Sequence, residues 1–475
     1  MNTRIPPLVA IILALSAASC AAQRPAGPWA IPAGPDSFGV NIHFTDPKPG
    51  EMKMIADGGF HWIRMDFGWE GTEREKGRYN FAAYDRLVAA CEPCHVRIMF
   101  ILDYANRLYD NGLSPASDEG RKAFAAWAAA AAERFKGRGI LWEMYNEPNI
   151  GFWKPRPNVD SYIALAREVG QAIRQAAPDE IYIGPAVSEM DYRFLEACFK
   201  AGLLEYWSAV TVHPYLRTNP ENMEAHYRKL GLMIEQYAPK GKHIPIISGE
   251  WGYSAAWANV GEEKQGKMMA RELLTNMAHG VPVSIWYDWH NDGADPKDFE
   301  SNFGTVRNPL LAGKDTPYEP KPAYTAARTL ARFLGAEPGS VPLPPGATVT
   351  AASATRTAAS AADNAPAASA SGAATSAAAG PVYEPFRFAR RLAVGGVDDY
   401  VYVFARGKED RMAAWTTADR PHEIVVPVRP GAAFSVTGML GEKLPDAAAD
   451  GTRLNITITD APKYLAPTGP GQGLR

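Results

Sequence analysis

Between about residue 38 and residue 335, short apolar runs rich in β-branched residues alternate with longer amphipathic stretches. That alternation is the signature of βα units around a parallel sheet. Strands are predicted over 39–44, 62–66, 96–103, 140–146, 181–186, 209–213, 244–250 and 283–288. Helical periodicity fills the spaces, as over 121–135, 161–177, 224–237 and 262–279, and 322–334 closes the set. Eight such repeats predict a closed (β/α)8 TIM barrel in an α/β chain. No GxGxxG or P-loop string follows a predicted strand, which argues against an open nucleotide-binding sheet.

After Gly335 the pattern changes. Pro- and Gly-rich sequence leads into a run over 345–382 that is nearly all Ala, Ser, Thr and Gly, the composition of a tether or surface insertion. From 383 to 467, runs of β-formers at 400–404, 412–416, 423–428 and 454–459 are separated by turn residues. They predict a small C-terminal antiparallel β-sandwich. The expected division is therefore a catalytic-size barrel over 31–335, the low-complexity segment, and the β-domain.

Residues 1–22 carry Arg4, an apolar stretch from Leu8 to Leu15, and small residues around Ser16 to Ala22. This is the order of a secretory signal peptide, so the mature chain is expected outside the cytoplasm: periplasmic, secreted or anchored in the outer membrane. Ala17-Ala18-Ser19-Cys20 resembles a bacterial lipobox, which makes Cys20 a candidate lipid anchor, although that pattern prefers Leu where Ala17 stands. No later run approaches the roughly 20 apolar residues of a membrane span. The other cysteines are Cys91, Cys94 and Cys198. Cys91-Glu92-Pro93-Cys94 falls at a helix end and reads as a local disulfide or two buried thiols rather than a redox motif. With 49 basic against 52 acidic residues and no long run of either sign, nothing points to nucleic acid or an anionic membrane. Twelve tryptophans and twenty tyrosines suit stacking on the apolar faces of sugars.

The strongest chemical signal is Trp142-Glu143-Met144-Tyr145-Asn146-Glu147-Pro148-Asn149 at the end of the fourth predicted strand. Barrel enzymes place their chemistry at the carboxyl ends of the strands. Pro148 ends the strand and fixes the turn, and Asn146 is placed to bond a substrate hydroxyl. A second carboxylate, Glu250, ends the seventh strand in Ile246-Ile247-Ser248-Gly249-Glu250-Trp251-Gly252. Strands four and seven face each other across a barrel mouth, so the two can flank one glycosidic bond. Gly249 and Gly252 leave room for a ligand beside it.

These residues resemble those of glycoside hydrolase clan A, and most closely family 39, over essentially the whole barrel. The resemblance implies a retaining β-glycosidase with Glu147 as acid/base and Glu250 as nucleophile. It also implies that Arg64, in Trp62-Ile63-Arg64-Met65-Asp66, supports the nucleophile. In His213-Pro214-Tyr215, the His and Tyr would hold the two carboxylates, and Trp286 would floor the subsite beside the cleaved bond. Arg64 keeps its carboxylate ionised for attack, whereas an acid needs a raised pKa. His43, Asp103 with Tyr104, and the loop tryptophans Trp69, Trp153 and Trp289 are candidate sugar contacts. Trp69 and Trp153 favour an open cleft and endo action on a polysaccharide.

Asp288-Trp289-His290-Asn291-Asp292-Gly293 has the start of a calcium loop, but His290 replaces an oxygen ligand and Phe299 stands where the closing Glu belongs. With no HExxH pair either, neither metal nor cofactor is expected. Two other readings share the sequence: a non-catalytic carbohydrate-binding or adhesion protein, and a transglycosylase on the same site.

Overall fold

The computed structural model describes residues 33–313, 318–336, 384–469 and 474; the signal-peptide and low-complexity readings lie outside these residues. Eight parallel strands close into a barrel. They are β1 Phe38–Asn41, β2 Trp62–Gly68, β3 Arg97–Asp103, β4 Leu141–Met144, β5 Ile181–Ser188, β6 Val210–His213, β7 Ile246–Trp251 and β8 Ser284–Trp286. Each pairs with its sequence neighbours, and β8 closes on β1 with Gly39 opposite Ile285.

Side chains alternate inward and outward along each strand, and the inward set divides the barrel into layers. The lower layer is apolar: Trp62, Met99, Leu141, Ile183, Ala209, Ile247, Val283 and Ile285 form one buried cluster. Two residues further along β2 and β4 come Arg64 and Glu143, and four residues beyond Ala209 comes His213, all essentially without exposure. A polar layer thus sits on an apolar plug, at the end of the barrel where the strands finish.

The helices that follow the strands are α1 Glu51–Asp57, α2 Ala82–Cys91, α3 Asp118–Arg134, α4 Val159–Ala176, α5 Tyr192–Lys200, α6 Met223–Tyr237, α7 Gly261–Ala278 and α8 Pro322–Phe333. Three start where a side chain accepts a backbone N–H: Ser117 from Gly120, Asn158 from Ser161 and Asp191 from Phe194. Such caps satisfy donors that the first turn would otherwise leave unpaired. Among the described residues, no helix is long and apolar enough to cross a membrane. Cys91, Cys94 and Cys198 are free thiols, with Cys91 and Cys198 buried.

The C-terminal domain is antiparallel. Its larger sheet runs β9 Arg387–Arg391, β10 Asp399–Arg406, β11 Glu409–Thr416, then β16 Lys463–Pro467, β13 Ala433–Thr437 and β14 Lys443–Ala448. A ribbon of β12 His422–Pro427 and β15 Arg453–Ile458 packs on one face. Period-two alternation in β10 sends Val401 and Val403 into that core, while Tyr400 and Tyr402 join the core of the barrel.

The two domains are fastened by polar as well as apolar contacts. Trp415 Nε1 donates to Glu221 Oε1 at 2.6 Å, and Arg271 grips both oxygens of Glu221 at 2.7 Å. The ring of Tyr464 stacks on Phe333 at 4.9 Å, and Arg387 pairs with Asp36 at 3.1 Å.

Candidate active site

Arg64 is the hub of the polar layer. Its Nε donates to Glu143 Oε2 and its Nη1 to Glu250 Oε2, both at 2.6 Å. Nη1 also reaches Asn41 Oδ1 at 3.2 Å, and Nη2 donates to Asn146 Oδ1 at 2.8 Å. One buried cation on β2 therefore binds two carboxylates and two amides from β1, β4, the loop after β4 and β7. Burial opposes the charged guanidinium, and Glu143 and Glu250 more than offset it, so Arg64 stays charged.

The position of Glu250 follows from an irregularity in β7. Ser248 pairs with Ser284 and Trp251 with Trp286, so β7 carries one residue more than β8 across that interval. An extra residue re-aims the side chains around it, and Glu250 turns to the mouth while Gly249 faces inward. A β-carbon on Gly249 would meet Glu143 Oε1 at 2.8 Å, and one on Gly252 would meet the Tyr287 carbonyl at 2.2 Å. The space beside these glycines is taken by the protein itself, not by a ligand as the sequence suggested.

Glu147 follows β4 with a positive φ of 43°, its N–H bonded to Ala186 O at 2.9 Å. Asn149 bridges to Ser188 through both ends of its amide, at 2.9 and 3.0 Å, and pins the same loop to β5. Glu147 is 7 % exposed, and burial raises its pKa although Ser188 and Arg64 pull the other way.

His213 links the two carboxylates. Its Nδ1 lies 2.9 Å from Glu147 Oε1, and its Nε2 lies 3.2 Å from Arg64 Nη2. Because a guanidinium only donates, Nε2 must accept, which places the ring proton on Nδ1 and makes Glu147 Oε1 its acceptor. Burial holds the imidazole neutral by pushing its pKa down to about 4. Tyr215 completes the set, donating its hydroxyl to Glu250 Oε1 at 2.9 Å. One oxygen of Glu147 and one of Glu250 lie within 4.8 Å of each other.

The two glutamates share a cavity of about 570 Å³ with Asn41, His43, Arg64, Asp66, Asn146 and Tyr215. Its outer wall is aromatic: Tyr104, Phe152, Trp257, Tyr287, Phe299 and Phe303. The Phe152 and Tyr104 rings stack at 5.7 Å, and Phe152 and Phe299 are 44 % and 46 % exposed at the rim.

Of the residues singled out in the sequence, Glu147, Glu250, Asn146, Arg64, His213, Tyr215 and His43 come together here, but others do not. Trp286 is fully buried, donates to Phe303 O at 3.1 Å and does not line the cavity. Trp289 is buried against Tyr318 and Tyr324, with Nε1 on Glu51 at 2.9 Å. Asp103 has no exposed surface; burial and the neighbouring Asp66 raise its pKa well above the ordinary carboxylate range, and only Tyr104 of that pair reaches the cavity. Trp69 stacks on Tyr109, and Trp153 packs between Tyr145 and Tyr162, each serving to hold its loop to the barrel.

Sequence reasoning missed Asn41, Glu143 and, apart from Tyr104, the aromatic wall. Inward periodicity from Leu141 would have found Glu143. Phe152, Trp257, Phe299 and Phe303 sit in irregular loops, where no periodicity marks a direction.

A family model for Cellulase (glycosyl hydrolase family 5) matches residues 33–293. No curated protein matches the chain by sequence. Among solved structures, the chain is similar to a family 39 glycoside hydrolase from the gut symbiont Bacteroides cellulosilyticus WH2, with TM-score 0.70, 22 % identity, and coverage of 91 % of this chain and 81 % of that one. A monomeric β-xylosidase from Caulobacter crescentus CB15 aligns with TM-score 0.58 and 15 % identity over 93 % of this chain and 98 % of that one. A family 30 endoxylanase from Clostridium papyrosolvens C71 aligns with TM-score 0.58 and 10 % identity over 91 % and 96 %.

Proposed function

The chain belongs to the cellulase family, glycosyl hydrolase family 5, and on that premise we propose that it is an exported, retaining glycoside hydrolase cleaving β-glycosidic bonds in a polysaccharide or oligosaccharide. The observation that carries the mechanism is the approach of the Glu147 and Glu250 oxygens to within 4.8 Å. Retaining enzymes hold their carboxyls roughly 5–5.5 Å apart, whereas inverting ones leave roughly 6.5–9.5 Å for a water.

The two environments suit the two roles. Glu250, held by Arg64 and Tyr215, attacks the anomeric carbon and forms a glycosyl ester as the bond to the leaving oxygen breaks. Glu147 supplies that oxygen with a proton. Since Oε1 accepts from His213, the proton sits on Oε2. Once the sugar is attached, Glu250 no longer bears a charge, Glu147 takes a proton from water, and hydroxide resolves the ester with the original anomeric configuration.

Family membership and the aromatic cavity wall support a carbohydrate substrate. Burial of Trp69 and Trp153 removes the ground on which the sequence favoured endo action. The exposed rings of Phe152 and Phe299 at the rim now support an open cleft and the same preference. Export rests on the residue pattern of 1–22, with Cys20 as the candidate anchor.

The test is a screen of the mature protein on β-linked polysaccharides and aryl glycosides, products read by mass, with Glu250→Gln alongside. Oligosaccharides from one polymer, absent with the variant, are the expected result. Monosaccharides alone mean exo action, and chain-lengthened products at high substrate mean transglycosylation. Glu147→Ala with azide should return the β-azide from a β-glycoside; the α-azide would reverse the two roles. Binding without turnover on any substrate would sink the catalytic reading.

A further inference from the structure

A second group of ligand atoms converges at His43, in the wall of the same cavity, and the double displacement at Glu147 and Glu250 does not use it. His43 follows β1, and Asp288 and Asp292 belong to the loop after β8. His43 Nε2 lies 3.5 Å from Asp288 Oδ2 and 3.8 Å from Asp292 Oδ2, and one ligand atom of each residue lies within 4.8 Å of the other two. Donors bound tetrahedrally to one ion at about 2.0–2.1 Å are roughly 3.3–3.4 Å apart, so the two separations from His43 need to contract by only a few tenths of an ångström.

Charge and hydrogen bonding at this point leave room for a cation. Asn41 Oδ1 accepts from Arg64, which turns its Nδ2 toward His43 Nε2 at 3.4 Å. Two carboxylate oxygens face the same Nε2, so a bound ion would take the place of any proton that atom shares with them. Asp288 is 2 % exposed, and its Oδ1 has no hydrogen-bond partner among the described residues. No lysine or arginine pairs with Asp288 or Asp292 among those residues. The nearby cations are committed elsewhere: Arg64 to Glu143 and Glu250, and Lys321 to Asn291 and Asn302. His290 Nδ1, 3.3 Å from Asp292 Oδ1, supplies the outer contact that commonly orients a ligating carboxylate.

We propose that His43, Asp288 and Asp292 form a binding site for one divalent first-row transition ion, represented by Zn2+, in the wall of the cleft. One imidazole with two carboxylates suits Zn2+ or Mn2+, whereas Ca2+ takes oxygen ligands. The His290 and Phe299 departures that rule out a calcium loop do not touch this site, because its third ligand follows β1, some 245 residues earlier. Because His43 lines the cavity, a bound ion would face the glycan and take its hydroxyls or carboxylates as further ligands. The site stands whether or not Glu147 and Glu250 perform the chemistry proposed above.

Titration calorimetry with Zn2+ on the mature chain, first stripped with chelator, tests it. One saturable ion per chain is expected, with His43→Gln and Asp292→Asn each weakening it by at least about tenfold and equimolar Ca2+ failing to compete. Glu250→Gln should bind as tightly as the parent. Glu147, His213 and Glu250 also bring three ligand atoms within 4.8 Å; binding lost in Glu250→Gln but kept in His43→Gln would place the ion there and overturn the proposal. Circular dichroism checks that each variant is folded. Zinc-soaked crystals of the parent give an answer free of variants: an anomalous peak about 2.0–2.1 Å from His43 Nε2 is expected. No saturable binding, or a peak elsewhere, refutes the site.

Discussion

At Gly249 one added carbon would stand 2.8 Å from Glu143 Oε1 and 3.5 Å from the His213 ring. Neither neighbour can retreat, since Glu143 is held by Arg64 and His213 sits between Arg64 and Glu147. Gly249→Ala should therefore cost about 1–3 kcal/mol in denaturant unfolding, as overpacking usually does. Through the displaced Arg64 it should lower kcat by at least about tenfold; a fully active, equally stable variant would show that the polar layer is looser than described. Glu272 presents the opposite situation. It lies on α7 with no exposure, neither oxygen has a partner among the described residues, and burial lifts its pKa well above the ordinary 4.5. The folded state then holds a proton that the unfolded chain releases above about pH 4.5, so this residue erodes stability as pH rises through that window. Glu272→Gln cannot ionise. Its stability advantage over the parent should grow by up to about 1.4 kcal/mol per pH unit above the unfolded pKa, read from urea midpoints at pH 5 and pH 8. A pH-independent difference would mean that Glu272 is solvated or paired.

Among the elements, the barrel strands announce themselves in the sequence because they are buried on both faces and read as apolar runs. The polar residues that interrupt those runs, Arg64, Glu143 and His213, are for the same reason the site. Edge strands of the C-terminal sheet are less legible. Arg387–Arg391 carries three arginines, and Lys443–Ala448 contains a proline, yet both are strands because an edge tolerates charge and a missing N–H. Tryptophans mislead for another reason: whether a loop ring faces the cleft or the barrel depends on partners distant in sequence, as Trp289 depends on Glu51. The loops after β4 and β8 instead offer Phe152 and Phe299. Replacing either with Ala should raise KM for a polymeric substrate about 2- to 12-fold, the worth of an aromatic contact. Turnover of a small aryl glycoside should change less than about twofold. Equal losses on both substrates would place the rings at the cleaved bond rather than at the rim.

For the molecule as a whole, the composition change after Gly335 suggests a module on a tether, but the interface describes something more integral. Glu221 lies in the short 3-10 helix Pro220–Asn222, at the end of the loop from β6 that carries Tyr215, and its carboxylate is shared by Arg271 of the barrel and Trp415 of the β-domain. Removing the β-domain would strip a donor from a buried carboxylate and expose the part of the barrel's core that Tyr400, Tyr402 and Trp415 cover. The two domains should therefore melt as one unit, giving a single calorimetric transition with equal van't Hoff and calorimetric enthalpies. Trp415→Phe keeps a six-membered aromatic ring but loses the N–H donor to a carboxylate shared with Arg271, a bond worth about 1.5–3 kcal/mol, together with the packing of the five-membered ring; it should lower that one transition without splitting it. Tyr215 reaches Glu250 from the same loop, so part of the loss should appear in kcat with KM nearly unchanged. Two separable transitions, the first leaving glycosidase activity intact, would instead make the β-domain an independent passenger.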